Sequence, residues 1–170
     1  MQCPVLAQVD TAWTRRFDGP GISPDYAKAL AVDDSGNVYV TGSSWNVTEE
    51  YTTIKYSPNG DMLWVRRNYF RGVPVAMGVD RNHNVYVTGT SFRIGTYYDF
   101  VTIKYSTNGD VLWVKFFSES YYGSWDEPIA LAMDDSDNVY VTGFSSTSAY
   151  STGFATIKYS PNGDTLWVRR

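Results

Sequence analysis

Short runs of apolar, β-branched and aromatic residues, each four to six long and broken by Asn, Asp and Gly, make up most of the chain. Nowhere is there a sustained apolar spacing of three and four, so the pattern predicts strands and no helix of any length. Large residues fall on both alternation phases: Val38 and Val40 against Tyr39, Ile54 and Tyr56 against Lys55, Leu63 and Val65 against Trp64. A sheet with one wet face would alternate cleanly, so these strands are expected to be covered on both faces.

The runs repeat. Asn-Val-Tyr-Val-Thr-Gly occurs at Asn37–Gly42, Asn84–Gly89 and Asn138–Gly143, and Thr-Ile-Lys-Tyr-Ser at Thr53–Ser57, Thr102–Ser106 and Thr156–Ser160. Asn-Gly-Asp-x-Leu-Trp-Val follows at Asn59–Val65, Asn108–Val114 and Asn162–Val168, with Trp64, Trp113 and Trp167 standing 49 and 54 residues apart. A period near 50 suits a propeller blade and is too long for most helical repeats. Each repeat reads as four strands: a small-residue strand (Ala29–Val32, Ala76–Val79, Ala130–Met133), then Val-Tyr-Val-Thr, Ile-Lys-Tyr and Leu-Trp-Val. The small residues of the first strand fit a crowded position near an axis. A β-sandwich is the competing fold, but it predicts no such period.

The turns carry their own chemistry. Asp-x-x-x-Asn joins strands one and two, with Gly36, His83 or Asp137 at its fourth position; all three residue types enter the left-handed region at low cost. The chain's one histidine is thereby explained as a turn residue. Asn-Gly joins strands three and four and is the strongest short hairpin signal, because both residues tolerate positive φ.

Taken together, Asp-x-x-Gly-Asn-Val-Tyr-Val-Thr-Gly followed by Thr-Ile-Lys-Tyr-x-x-Asn-Gly-Asp-x-Leu-Trp resembles the bacterial β-propeller repeat called SBBP, over about residues 11–170. His83 and Asp137 depart from it where the turn glycine is replaced. The resemblance implies a propeller in an exported bacterial protein, secreted or at the cell surface, and no defined activity. The opening Met1–Gln8 is similar to the tail of a secretory signal or is an ordinary terminus.

The expected fold is therefore all-β: three four-stranded antiparallel propeller blades (about 25–68, 69–117 and 125–170) behind a tail at 1–10. Residues 11–17 form a further element. Thr11–Phe17 repeats the fourth-strand motif, with Trp13 standing 51 residues before Trp64, which makes four fourth-type strands against three of each other kind. Three blades do not close a ring, since propellers have about 4–8. Either the chain belongs to a longer propeller or copies of it assemble. The expectation is a closed homo-oligomer, a dimer of six blades ahead of a trimer of nine, in which the two terminal fourth-type strands compete for one edge.

Composition narrows the partners. Aromatics are 16% and charged residues 19%, the reverse of a disordered chain, and the net charge of −4 is spread without a basic face, which argues against nucleic acid. The pairs Arg15–Arg16, Arg66–Arg67 and Arg169–Arg170 share one repeat position and read as strand-end structure. No apolar run approaches the roughly 20 residues that span a bilayer. The single cysteine, Cys3, allows no intrachain disulfide.

Two loops vary between repeats, those joining strands two and three and those joining one blade to the next. Both emerge on one rim, where binding residues are expected to ride. The rim is aromatic, and Trp45, Tyr51, Phe92, Tyr97, Tyr98, Trp125 and Tyr150 are its candidate contacts for a glycan or a protein. No nucleophile stands with a base, so no catalytic residue, and no enzyme, is expected, with a propeller lyase or hydrolase as the remote alternative. Asp33–Asn37 and Asp134–Asn138 resemble the start of a calcium loop, yet the twelfth positions are Ser44 and Ser145 instead of glutamate. Neither a metal nor a cofactor is expected.

Overall fold

The computed structural model describes residues 11–45, 48–118, 124–148 and 151–170. Twelve strands lie in three antiparallel sheets of four, and no helix occurs among the described residues. The first sheet holds β1 (Tyr26–Val32), β2 (Val38–Trp45), β3 (Glu49–Tyr56) and β4 (Met62–Asn68). The second holds β5 (Pro74–Val79), β6 (Val85–Arg93), β7 (Tyr97–Tyr105) and β8 (Val111–Phe117). The third holds β9 (Asp126–Met133), β10 (Val139–Ser148), β11 (Ser151–Tyr159) and β12 (Thr165–Arg169). Each sheet runs in simple sequence order, and the first strands meet, β1 against β5 and β5 against β9. The sheets are stacked blades that do not close on themselves.

The Asp-x-x-x-Asn turns are built around their aspartate. Asp33 accepts from the backbone N–H of Ser35 (3.0 Å) and Asn37 (2.8 Å), from the Asn37 amide (2.8 Å) and from the Tyr39 hydroxyl (2.9 Å). Asp80 and Asp134 hold the same four partners in their own blades. The fourth turn position has positive φ in all three, 77° at Gly36, 59° at His83 and 58° at Asp137. His83 does one thing more than turn the chain: its Nε2 lies 2.7 Å from Asp34 of the preceding blade.

The Asn-Gly turns differ from the expected form. Only the glycine takes positive φ (81°, 83° and 86° at Gly60, Gly109 and Gly163), and a bulge follows between Lys55 and Tyr56 and at the matching places. Gly60 N–H donates to Ser57 (2.9 Å) and Ser57 N–H to Asp61 (2.8 Å). This is a type I turn closed by a left-handed glycine. Pro58 and Pro161 at its second position fix φ in the range that type I needs, which excludes positive φ there.

Two aromatic-aliphatic cores fill the spaces between blades. One joins Tyr39, Tyr51 and Trp64 of the first blade to Val85, Val87, Ile103 and Tyr105 of the second. The other joins Tyr86, Phe100, Trp113 and Phe117 of the second to Val139, Val141, Ile157 and Tyr159 of the third. Each blade thus has a Tyr–Trp–Lys face pointing forward and a Val–Val–Ile–Tyr face pointing back. Among the described residues, only the second blade has both faces covered by another blade, and both alternation phases are apolar because each phase supplies one of the two faces.

Residues 11–19 are not a strand, although their motif predicts one. A fourth-type strand pairs with the third strand of its own sheet, and among the described residues these pair with none. Their side chains nonetheless dock as the motif would have them, as described next.

Candidate functional site

The joint between successive blades is a repeated donor set aimed at the next Asn-Gly turn. From the first blade, the Trp64 indole N–H donates to the Thr107 carbonyl (3.0 Å) and Arg66 Nε to the Gly109 carbonyl (2.7 Å). Lys55 reaches the same Thr107 carbonyl at 3.4 Å. From the second blade, Trp113 and Lys104 both donate to the Pro161 carbonyl, at 3.1 and 3.0 Å. The indole lies flat over the glycine: a Cβ at Gly109 would stand 2.9 Å from the Trp64 ring, and one at Gly163 3.0 Å from Trp113. Glycine is required there both for its φ and for this approach.

Charge within the joint is handled locally. Lys55, Lys104 and Lys158 sit over the rings of Tyr39, Tyr86 and Tyr140 at 5.1, 4.8 and 4.8 Å. Burial alone would push the Asp80 carboxyl up. The Asn84 side chain and backbone, the Tyr86 hydroxyl and the Lys104 charge outweigh it and hold the carboxyl below its ordinary value. Burial and the adjacent aspartate push the Tyr39 and Tyr86 hydroxyls well up, so both remain donors.

At the two ends of the stack this joint is treated differently. Trp13 donates to the Pro58 carbonyl (3.0 Å) and Arg15 Nε to the Gly60 carbonyl (2.6 Å), copying Trp64 and Arg66. The Trp13 ring would lie 2.7 Å from a Cβ on Gly60. Residues 12–17 therefore occupy the acceptor turn of the first blade. At the other end, Trp167 and Arg169 reach no acceptor turn among the described residues. Arg169 keeps the bond to the carbonyl before it (3.0 Å) that Arg66 and Arg15 make (2.9 and 3.0 Å), with its guanidinium over the Trp167 ring.

On the variable rim, the candidate residues separate. Trp125, Tyr98, Phe92 and Tyr97 form one chain of ring contacts with centroids 5.2, 5.7 and 6.1 Å apart. Tyr97 has φ 73°, a costly conformation for an aromatic residue, in the turn after Gly95. Trp125 is pinned by Ser146, whose hydroxyl accepts from its N–H (3.1 Å) and donates to its carbonyl (2.8 Å), while its ring stays 55% exposed beside Glu127. A cavity of about 470 Å³ opens here, lined by Lys28, Glu49, Thr90, Tyr98, Trp125 and Glu127. Behind it Asp99 is fully buried, and burial pushes its carboxyl up despite Thr96 and Arg93.

Trp45 is exposed at the end of β2, opposite Glu49, outside that chain of rings. Tyr51 is not a rim residue: it is fully buried between blades, donating to the Thr90 carbonyl (2.6 Å) with the Val73 carbonyl 3.1 Å away. Its place is set by β3, in which its side chain shares the face of Thr53 and Lys55. Tyr150 lies outside the described residues, as do Tyr121 and Tyr122.

Residues 12–47 match SBBP, the beta-propeller repeat family. The match opens on the docked segment that carries Trp13 and runs through β1 and β2, and the acceptor turn at Pro58 and Gly60 lies beyond it. Among solved structures, the chain is similar to a protein of unknown function from Bacteroides caccae, at 12% identity and a TM-score of 0.50. The alignment covers 86% of this chain and 46% of that one, so the chain spans about half the length of this structural neighbour. At that identity the likeness concerns fold alone. No curated protein matches the chain.

The sequence pattern placed the paired arginines at strand ends and said nothing of their acceptors. The missed signal was available: a Trp-x-Arg or Trp-x-Lys unit follows every Asn-Gly turn, and a further Trp-x-Arg precedes the first.

Proposed function

We propose that the chain is a non-enzymatic propeller scaffold that joins blade face to blade face with further copies of itself into a closed ring, two copies in preference to three, in an exported bacterial protein. The observation that carries this reading is the third blade's forward face. Lys158, Trp167 and Arg169 stand where Lys55, Trp64 and Arg66 stand in the first blade, with no turn among the described residues to receive them. Phe154 is 74% exposed at the position where Tyr51 and Phe100 are buried. Such a surface is a mate to a blade, being apolar at its centre and set with donors at its outer edge. The placement outside the cell rests on the SBBP resemblance. Light scattering on a sizing column across a dilution series tests the reading: a stable mass of two or three chains supports it, and a monomer at every concentration overturns it.

A second reading is favoured by Trp125, whose backbone is fixed while its ring is exposed beside Glu127 over the rim cavity. A held aromatic face with a carboxylate at its edge suits a sugar ring or a protein side chain. On this reading the scaffold displays a recognition rim, and replacing Trp125 and Tyr98 removes binding to a glycan array while leaving the assembled mass unchanged.

A further inference from the structure

The first blade's acceptor turn already has an occupant, and that occupant covers its face poorly. Trp13 and Arg15 take the Pro58 and Gly60 carbonyls, but the segment supplies no lysine to match Lys55 or Lys104. Behind it a cavity of about 290 Å³ remains, lined by Trp13, Phe17, Leu30, Val40, Ile54 and Tyr56. Leu30 is 63% exposed, whereas Met77 and Leu131, its equivalents, pack into the inter-blade cores. Val38 and Val40 are partly exposed, and their counterparts Val85, Val87, Val139 and Val141 are fully buried.

We infer that residues 12–17 act as a competitive plug: they hold the first blade's turn within one chain, and the Lys158–Trp167–Arg169 face of a second copy displaces them. This rests on the self-assembly reading above and adds the element that governs it. The two contenders present the same indole and the same guanidinium to the same two carbonyls, so they cannot bind together. The tethered segment has the advantage of high local concentration. The incoming blade has the advantage of area, since it alone fills the cavity and covers Leu30, Val38 and Val40. Assembly is therefore set by protein concentration and by the hold of Trp13 and Arg15.

The test compares the full chain with Trp13→Ala/Arg15→Ala and with Trp167→Ala/Arg169→Ala, by light scattering across a dilution series. The first variant is expected to assemble at a concentration at least about tenfold lower than the unaltered chain, and the second to remain monomeric. If the unaltered chain assembles through Trp167 but the Trp13 variant needs the same or a higher concentration, the plug is overturned and self-assembly stands. If no chain assembles at any concentration, self-assembly falls and the plug falls with it. Limited trypsin digestion of the unaltered protein gives a readout independent of variant folding. Cleavage after Arg15 and Arg16 is expected to be faster in the assembled fraction, and equal or slower cleavage there overturns displacement.

Discussion

Tyr51, Phe100 and Phe154 hold one position in three successive blades, and only the first two are buried. Around Tyr51 and Phe100 the next blade brings Val73, Thr90 and the second core; beside Phe154 no following blade stands among the described residues, and the Phe144 ring lies 6.5 Å away. The residues that make an inter-blade joint are thus present in every blade, and what differs is whether a following blade receives them. Aromatic burial is concentrated in the two internal joints, while the third blade's forward face carries the same kinds of side chain exposed.

The contrast is sharpest at the tryptophans. Trp64→Ala removes a ring that is 9% exposed, together with its bond to Thr107, and is expected to cost about 3–5 kcal/mol in urea unfolding. Trp167→Ala, at the equivalent place with no acceptor turn among the described residues, is expected to cost well under half as much under dilute conditions. Equal costs would mean that the joint is not where the stability lies.

Gly109→Ala comes next. Forcing alanine into φ 83° costs about 1–2 kcal/mol, and its methyl also pushes against Trp64 at 2.9 Å. Gly95 has φ 106° with nothing near its Cβ position, so Gly95→Ala is expected to show the backbone cost alone, and the difference in midpoint between the two variants measures the indole contact.

Tyr51→Phe leaves the ring and removes the hydroxyl that donates to Thr90, for an expected loss of about 1 kcal/mol. Phe154→Ser, at the matching open position, is expected to change thermal stability by less than about 0.5 kcal/mol while weakening self-assembly on the sizing column.

Acid unfolding extends the comparison to the turns. Asp33, Asp80 and Asp134 have carboxyls held below the ordinary value by their Asn and Tyr donors, against the opposing pull of burial, which is largest at Asp33 and Asp80. The unfolded chain therefore takes up protons first. Their contribution is fully present above the ordinary carboxylate pKa of 3.8 and is lost as pH falls through the lowered folded values. A stability profile by circular dichroism is expected to be flat in these groups down to about pH 4 and to fall below it. Asp80→Asn is expected to flatten that acid limb.

What the sequence made legible was everything local or periodic. The three-motif repeat yielded the sheets and their order, and the Asp-x-x-x-Asn signature yielded the turn and its positive φ at His83 and Asp137. The joint was not legible, because Trp13 meets Pro58 and Trp64 meets Thr107 across more than 40 residues, and no local pattern encodes that distance. Tyr51 was misplaced for a related reason: it precedes the repeated Thr-Ile-Lys-Tyr motif, yet β3 already begins at Glu49 and continues the alternation that buries Tyr51. Residues 11–17 carry a strand motif without a strand, since hydrogen-bonded pairing depends on neighbours that the motif does not contain. On the rim, the sequence supplied the aromatics but not which of them touch.

The acceptors in every joint are main-chain carbonyls of one turn, at Pro58 and Gly60, at Thr107 and Gly109, and at Pro161. Backbone oxygens do not vary with the side chain that bears them, as Thr107 shows by standing in for proline. Unequal recombination between two such repeats, duplicating or deleting one, would therefore leave each indole facing a valid receiver, so that copy number can change while this bond persists, whereas side-chain pairs such as His83 with Asp34 depend on which blades adjoin.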